Sequence, residues 1–400
     1  MNQDEFVSSW KEKILDAVSR CRNCNFCYSV CPLFESTRGF QVQGPSGILQ
    51  AISYAIRWDE LKGEEKETLR DILYACTTCY SCVLKCKSSS SGVPLLDAIE
   101  GGRALLVESM IGPMPGQRKV LKSLEQKGNP YEGLPSRRLD WLKGFEQGKR
   151  LSYRFIPDQK AEILLYVGCT PSYNPDLHGI ASSVVALMEA IGVRYGILRE
   201  EQCCGSPARQ LGEEGLFQEF SSQNMKIFRE SGVRKIITIS PHCYHAFIHD
   251  YPEGIKEFEV EHYTQFFAGM IETGHLVPKR KIERVVAYHD SCYLGKRNDV
   301  YEAPRRILKH IPGVKVVEMK RQRDNGLCCG GGGGRVWIDV EEISRLSESR
   351  VREALDAGAD TLSTACPWCH IQLEDGVKTA GCEGRVDVRE VAELLAESLG

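Results

Sequence analysis

The chain has 400 residues, long for one compact core, so two or three domains are expected. An apolar fraction of 42% and a charged fraction of 26% fit a water-soluble globular protein, and a formal net charge of −3 gives no overall field to attract nucleic acid. No stretch approaches the ~20 apolar residues that span a bilayer, so work at a membrane, peripheral on its inner face, is expected only through a partner.

The opening residues, Met1-Asn2-Gln3-Asp4-Glu5, form neither a basic nor an apolar leader, which points to the cytoplasm. Thiols stay reduced there, so the 18 cysteines read as ligands rather than as a disulfide framework. Lys296-Arg297 and Arg305-Arg306 read as solvated helix faces, with a docking patch for an acidic partner as the alternative.

Residues 4–20 place Phe6, Trp10, Ile14 and Val18 at helical spacing, so a helix is expected to lead into Cys21. There a run begins, Cys21, Cys24, Cys27 and Cys31, spaced Cys-x-x-Cys-x-x-Cys-x-x-x-Cys. After a gap of 44 residues Cys76, Cys79, Cys82 and Cys86 repeat it. Helix-like stretches at 47–56 and 64–75 fill a gap too long for small hairpins, so a helical domain is expected over 1–110. The serine-rich segment 87–92 reads as a loop and 95–111 as helix. Residues 111–160, rich in Pro, Gly, Lys and Arg, read as a linker whose Pro130 and Pro135 prevent long helices.

The texture then changes. Residues 163–167 are a short apolar run ending at Gly168-Cys169, a buried strand feeding a loop. A helix at 181–191, a strand at 195–198, a helix at 217–231 and a strand at 234–239 follow, the last running into Pro241-His242-Cys243. Such alternation predicts a parallel sheet covered on both faces. The pattern recurs as strand 285–289 before Cys292, helix 303–309, strand 314–318, Cys328-Cys329-Gly330, helix 343–357, strand 361–365 and Cys366-Pro367-Trp368-Cys369. Side by side, Cys169 falls on Cys292, Cys203-Cys204 on Cys328-Cys329, Cys243 on Cys369 and Ser240 on Cys366. Two repeated domains are expected, 161–275 and 284–400.

A cubane [4Fe–4S] cluster needs four thiolates around one compact object. Three cysteines at two-residue gaps wrap one corner, and in two-cluster ferredoxins the fourth of each run serves the other cluster. That gives Cys21, Cys24, Cys27 and Cys86 to one cubane and Cys76, Cys79, Cys82 and Cys31 to the other. Pro32 follows Cys31 as the bacterial pattern requires, but Lys87 follows Cys86, so the serine-rich loop must turn the chain instead. Zinc is the structural alternative for a thiolate tetrad.

The paired Cys-Cys-Gly motifs, each framed by cysteines before and after, resemble the cysteine-rich CCG domain of the heterodisulfide reductase family. The whole layout is similar to its D-type subunit, a helical two-cluster ferredoxin fused to tandem CCG domains. Iron–sulfur subunits of glycolate oxidase and anaerobic glycerol-3-phosphate dehydrogenase are similar in build. Gly168-Cys169-Thr170, Tyr288 to Gly295 and Ile311-Pro312-Gly313-Val314 carry the resemblance further. It implies an N-terminal all-α ferredoxin-like domain followed by two α/β CCG domains with parallel sheets. It also implies a noncubane [4Fe–4S] cluster on Cys292, Cys328, Cys329, Cys366 and Cys369. Ser240 removes a thiolate from the first repeat, so Cys169, Cys203, Cys204 and Cys243 are left for a cubane, a zinc ion, an altered cluster or nothing. His242 and His245, near in sequence, are extra ligands or ordinary surface or core histidines.

Gly330 to Gly334 lacks the Lys-Ser/Thr of a phosphate loop and reads as backbone brought close to cluster sulfurs, or as a flexible loop. Trp337 and Trp368 read as core packing, with electron relays as the alternative. His289-Asp290 reads as a proton source, or as a pair that caps a helix and fixes the loop before Cys292. By resemblance, the cubanes pass single electrons to or from the noncubane cluster, which acts on a small disulfide or dithiol. The implied partners are a flavoprotein, a haem b membrane subunit or a ferredoxin-like donor. The second reading is a relay between a flavoprotein dehydrogenase or electron-transferring flavoprotein and quinone or a membrane cytochrome.

Overall fold

The computed structural model describes residues 3–57, 60–88, 92–143, 153–156, 158–338 and 345–400. Parts of three expectations lie outside these: Ser89 to Ser91 of the serine loop, 144–152 and 157 of the linker, and the start of the helix expected at 343.

The N-terminal region is helical, with main helices Gln3–Arg20, Pro45–Ala55, Gly63–Ala75 and Leu95–Glu108. Trp10, Ile14 and Ala17 recur along one face of the first helix and are buried. The fourth helix lies unusually close to its neighbours because it carries Gly101-Gly102. A Cβ at Gly101 would sit 2.8 Å from the Trp10 ring, and one at Gly102 would sit 2.7 Å from Leu73. No described helix is long and apolar enough to cross a membrane.

Two all-parallel sheets follow. The first is built from β1 (Arg154–Ile156), β2 (Ile163–Tyr166), β3 (Tyr195–Leu198), β4 (Lys235–Thr238) and β5 (Glu259–His262), in the order β1-β3-β2-β4-β5. The second is built from β6 (Arg284–Tyr288), β7 (Val314–Val317), β8 (Thr361–Thr364) and β9 (Asp387–Glu390), in the order β7-β6-β8-β9. Without β1 the two orders are the same, and Leu164 pairs with Ile236 as Val286 pairs with Thr361. The helices Glu214–Ser231 and Leu346–Asp356 hold equivalent places in the two repeats. The stretch read as a linker holds the helix Pro115–Lys127 and supplies the edge strand β1.

The regions share cores. Side chains alternate across a strand, and Leu164, Tyr166 and Ile236 pack into one core with Trp10, Ile14 and Leu73 of the helical region. Leu165, Val167 and Ile237 point the other way, into a core shared with Val286, Tyr288 and Ile307 of the second repeat. Ala287 and Leu362, on the far face of the second sheet, belong to a third core. The first sheet is therefore sandwiched between the helical region and the second repeat.

Candidate functional site

Each cysteine run starts where a helix stops. Cys21 directly follows Gln3–Arg20, and Cys76 directly follows Gly63–Ala75. Asn23 and Asn25 in the first run, and Thr78 and Tyr80 at the matching places in the second, take left-handed backbone conformations that curl each run into a tight loop. Cys21, Cys24, Cys27 and Cys86 line one small cavity with Ser46, Ser88 and Val93. Cys31 sits with Cys76 and Cys79, and Cys82 lies beside the same three. The fourth cysteine of each run is thus brought to the first three of the other. Ser88 anchors the loop after Cys86, donating to the Arg20 carbonyl at 2.8 Å and accepting from the Arg22 N–H at 3.0 Å.

In both repeats the remaining cysteines other than Cys382 sit beyond the C-terminal ends of three strands, β2, β3 and β4 or β6, β7 and β8. From the central strand, β2 or β6, the chain goes first to the neighbour on one side, β3 or β7, and then crosses to the neighbour on the other, β4 or β8. Loops part at such a point and leave a crevice, the usual place for a ligand on a parallel sheet. Cys243 and Cys369 each occupy the third position of a helix that begins with proline, Pro241 or Pro367.

In the first repeat four buried thiols form a chain, Cys169 beside Cys203, Cys203 beside Cys204, and Cys204 beside Cys243. Ser240 is used otherwise: its hydroxyl caps the helix Pro241–His245 by accepting from the His242 N–H at 3.3 Å. A buried ion pair, Arg138 with Glu201, flanks Cys169, and Glu201 also accepts from the Gly168 N–H at 2.8 Å and the Val167 N–H at 2.9 Å. Arg138 lies 3.9 Å from the Cys169 sulfur.

In the second repeat Cys329 and Cys369 have their sulfurs 3.3 Å apart, Cys328 adjoins Cys292, and Cys366 adjoins Cys369. One nitrogen of His289 and the sulfurs of Cys329 and Cys369 lie within 4.8 Å of one another. The Gly330 N–H points at the Cys328 sulfur at 3.4 Å. The later glycines of that run serve a different contact. A Cβ at Gly332 would meet the Thr77 carbonyl oxygen at 2.2 Å, and one at Gly333 would meet the Cys76 carbonyl oxygen at 2.3 Å. They let the glycine loop lie directly on the backbone of the second cysteine run.

Burial, reinforced by the positive charge of Arg350 and only partly offset by Asp290 and Cys366, holds His289 down at about 3, so its ring is neutral at pH 7. Arg350 Nε donates to its Nδ1 at 3.0 Å. Asp290 holds Arg305 through both carboxylate oxygens, at 2.6 and 2.9 Å, and accepts at 2.7 Å from the N–H of Arg323, the first residue of the short 3-10 helix Arg323–Asn325. Neither His242 nor His245 reaches the thiols of the first repeat. His245 bonds Arg297 and Asn298, and His242 turns to the second repeat, where it adjoins Cys366. Trp368 is buried, packed against Trp337 and His242.

The basic pairs require a correction. Of the four residues expected on solvated helix faces, only Arg306 is largely exposed. Lys296 is buried and donates to the Ser81 hydroxyl and, at 2.6 Å, to the Gly326 carbonyl. Arg297 donates to the Thr78 carbonyl at 3.0 Å, and Arg305 is fully buried between Asp290 and Glu318. These cations neutralise carbonyl dipoles and carboxylates packed around the cysteine loops, a role that tertiary contact alone creates. Cys382, outside every motif, packs in the core of the second repeat with its sulfur directed at the Ala380 carbonyl.

The donor chemistry fits iron–sulfur clusters: soft sulfur ligands, grouped in fours and fives, mostly buried. Five thiols in the second repeat exceed the four of a structural zinc site. Burial pushes the Cys27 thiol up from 9.0 to about 11 and raises Cys76 and Cys82 as well. Without a metal these groups are protonated at neutral pH, and loading must displace the protons. Iron retention under a chelator is therefore expected to rise as pH is raised from about 6 to about 9, measured as iron per chain after a fixed exposure; a flat profile would contradict it.

Two stretches, 163–248 and 286–374, match the cysteine-rich domain family CCG, and residues 17–90 match the 4Fe-4S dicluster domain. The chain is 33% identical over 403 residues to the D-type subunit of the dihydromethanophenazine:CoB–CoM heterodisulfide reductase of Methanosarcina barkeri, covering 95% of this chain and 93% of that one. The chain belongs to the family of heterodisulfide reductase D-type subunits. Its 4Fe-4S dicluster domain and paired CCG domains are those of an iron–sulfur protein.

Two other relatives are longer. The chain is 36% identical over 377 residues to FadF of Bacillus subtilis, described as a probable iron-sulfur-binding oxidoreductase, covering 92% of this chain. It is 34% identical over 430 residues to the EtfAB:quinone oxidoreductase of Syntrophomonas wolfei, covering 98% of this chain. It spans 52% and 59% of those two proteins, little more than half their length. The fold is shared with a hypothetical protein from Helicobacter pylori, at a TM-score of 0.58 and 11% identity over 89% of this chain and 68% of that one.

Proposed function

We propose that this protein passes single electrons through two cubane clusters to or from a noncubane cluster in its second repeat, which acts on a small disulfide or dithiol. Cys21, Cys24, Cys27 and Cys86 would hold the first cubane, and Cys76, Cys79, Cys82 and Cys31 the second. Cys292, Cys328, Cys329, Cys366 and Cys369 would hold the noncubane cluster. The observation that carries this reading is a small core of its own: Cys79 packs directly against Cys292, Cys328 and Tyr293. The second cysteine run and the second repeat's thiols are thus in van der Waals contact, with the glycine loop closing the remaining space. The first run is the more open, with Cys24 exposed while Cys79 and Cys82 are buried, which suits electron exchange with a partner at that end.

When bound, the clusters supply the electron-accepting chemistry. The protein's own residues do the rest. Lys296 and Arg297 place positive charge beside the contact between the two sites, where added electrons increase negative charge. Burial of all five second-repeat thiols excludes water. His289, kept neutral, has only a ring N–H to offer to a nearby sulfur. Cys169, Cys203, Cys204 and Cys243 make a complete four-thiol set with Ser240 committed to a helix cap, which suits a cubane or a zinc ion.

The second reading is a relay between a flavoprotein, or an electron-transferring flavoprotein, and quinone or a membrane cytochrome. The four-thiol first repeat favours it, since only one five-thiol set is present. So does the likeness to a protein named as an EtfAB:quinone oxidoreductase.

Anaerobically prepared protein is expected to contain more iron per chain than two cubanes hold, by iron and sulfide quantitation with electron paramagnetic resonance. An iron content that two cubanes fully explain would sink the second-repeat cluster. Given that cluster, reduction of a mixed disulfide by the complex with its partners supports the first reading. Cluster reduction without disulfide turnover leaves the relay.

A further inference from the structure

His242 belongs to the first repeat by sequence, yet its ring lies in the second repeat's site. It occupies the position that Trp368 holds in the second repeat, Ser240-Pro241-His242-Cys243 against Cys366-Pro367-Trp368-Cys369. The two rings lie against each other where the repeats meet, with centroids 4.0 Å apart and planes tilted by 43°, and Tyr293 flanks the imidazole at 3.9 Å. The reach across is mutual. Trp368 donates its indole N–H to the hydroxyl of Thr170, the residue after Cys169, at 3.0 Å. His242 adjoins Cys366.

The proton position on His242 follows from its neighbours. Gly333 donates its N–H to the side-chain oxygen of Gln210 at 3.0 Å. That sets the orientation of the amide, because the opposite orientation would face two donors together. The Gln210 NH2 group then gives one hydrogen to the Ser206 hydroxyl at 3.0 Å and one to His242 Nδ1 at 3.2 Å. Nδ1 is thereby an acceptor and the ring proton sits on Nε2, with Cys366 beside the ring.

We propose that the His242 Nε2–H, contributed by the first repeat, is a hydrogen-bond donor to the Cys366 sulfur and raises the reduction potential of the second repeat's cluster. The inference rests on the noncubane cluster proposed above. A donor aimed at a ligand sulfur stabilises the more electron-rich state, so its removal favours the oxidised one. Gln210 and Gly333 are positioning residues. They tie the donor's tautomer to the glycine loop that follows Cys328-Cys329, so the imidazole and the cluster loop are held as one unit.

Wild-type protein with isotopically labelled histidine is the first measurement, by pulsed paramagnetic resonance of the second-repeat signal. An exchangeable-proton coupling that disappears in deuterated buffer is expected, with only a weak nitrogen coupling. His242→Phe is expected to lose that proton coupling and to shift the midpoint potential to more negative values. His242→Gln, which keeps an N–H donor, is expected to recover part of the shift. Gln210→Leu, which keeps the imidazole but frees its tautomer, is expected to fall between wild type and His242→Phe. A nitrogen coupling of the size given by directly bound imidazole that is lost in His242→Phe overturns the proposal, as does an unchanged potential in His242→Phe at full iron content. If His242→Phe loses iron, the labelled wild type and Gln210→Leu decide. If wild-type iron is no more than two cubanes hold, the underlying cluster is absent and the proposal falls with it.

Discussion

Replacing Arg103 with methionine is expected to destabilise the folded chain by about 4 kcal/mol and to release iron first from the cubane proposed on the second cysteine run. The guanidinium is fully buried on the helix Leu95–Glu108 and donates to four carbonyls from three regions of the chain. It reaches Leu73 O at 2.8 Å and Cys76 O at 2.8 Å, at the end of the helix that carries the second run. It also reaches Gln210 O at 2.7 Å in the first repeat and Gly333 O at 3.0 Å in the glycine loop. The last carbonyls of a helix have no partners within it, and a cation there also meets the negative end of the helix dipole. Methionine keeps much of the packing but leaves those carbonyls buried and unsatisfied. The measurements are thermal unfolding under anaerobic conditions and iron release into a chelator. Unfolding and iron release like those of wild type would show that the guanidinium is not the tie between the three regions.

Cys79→Ala is expected to remove about four iron atoms per chain and to cut the second repeat off from electrons supplied at the first run. The sulfur of Cys79 belongs to the buried group that includes Cys292 and Cys328, so its loss removes both a proposed cubane ligand and the contact between sites. The signal from Cys21, Cys24, Cys27 and Cys86 is expected to survive, because those residues line a separate cavity. Two controls sharpen the result. Cys243→Ala, in the first repeat, is expected to leave reduction of the second repeat's cluster intact. Cys382→Ala is expected to leave the iron content unchanged, since its sulfur faces the Ala380 carbonyl away from every set. Rapid-freeze paramagnetic resonance after mixing with a reductant reads electron arrival, and iron quantitation reads cluster content. Second-repeat reduction at the wild-type rate in Cys79→Ala would mean that electrons arrive by another route.

Much of the architecture is legible in local patterns because those patterns are themselves the cause. The runs 163–167 and 195–198, and 234–239 from Ile236 onward, are short and largely apolar since strands of a doubly covered parallel sheet are buried on both faces. They appear as β2, β3 and β4. The strands β5 (Glu-Val-Glu-His) and β9 (Asp-Val-Arg-Glu) leave no such mark because they are edge strands, partly open to solvent, with polar residues where a central strand would be apolar. The three-residue β1 is too short to carry a period at all. The helix Leu95–Glu108 matches its expectation, but the reason for Gly101-Gly102 within it emerges only from Trp10 and Leu73 lying against them.

Cysteine spacing alone determined which residues could gather sulfur, since a two-residue gap in a curled loop places thiols around one object and the repeat aligns the two later sets. It could not determine which sets meet, nor which charges accompany them. Lys296, Arg297 and Arg305 look like surface cations when read along the chain. Folding puts them against backbone carbonyls and carboxylates beside the thiols. Likewise His242, in the short helix after β4, adjoins Cys366 of the other repeat. The physical reason is the same in each case: a pattern in sequence records contacts within a helix, strand or loop, whereas contacts between the helical region and the two repeats exist only once the sheets stack and the loops at their strand ends converge.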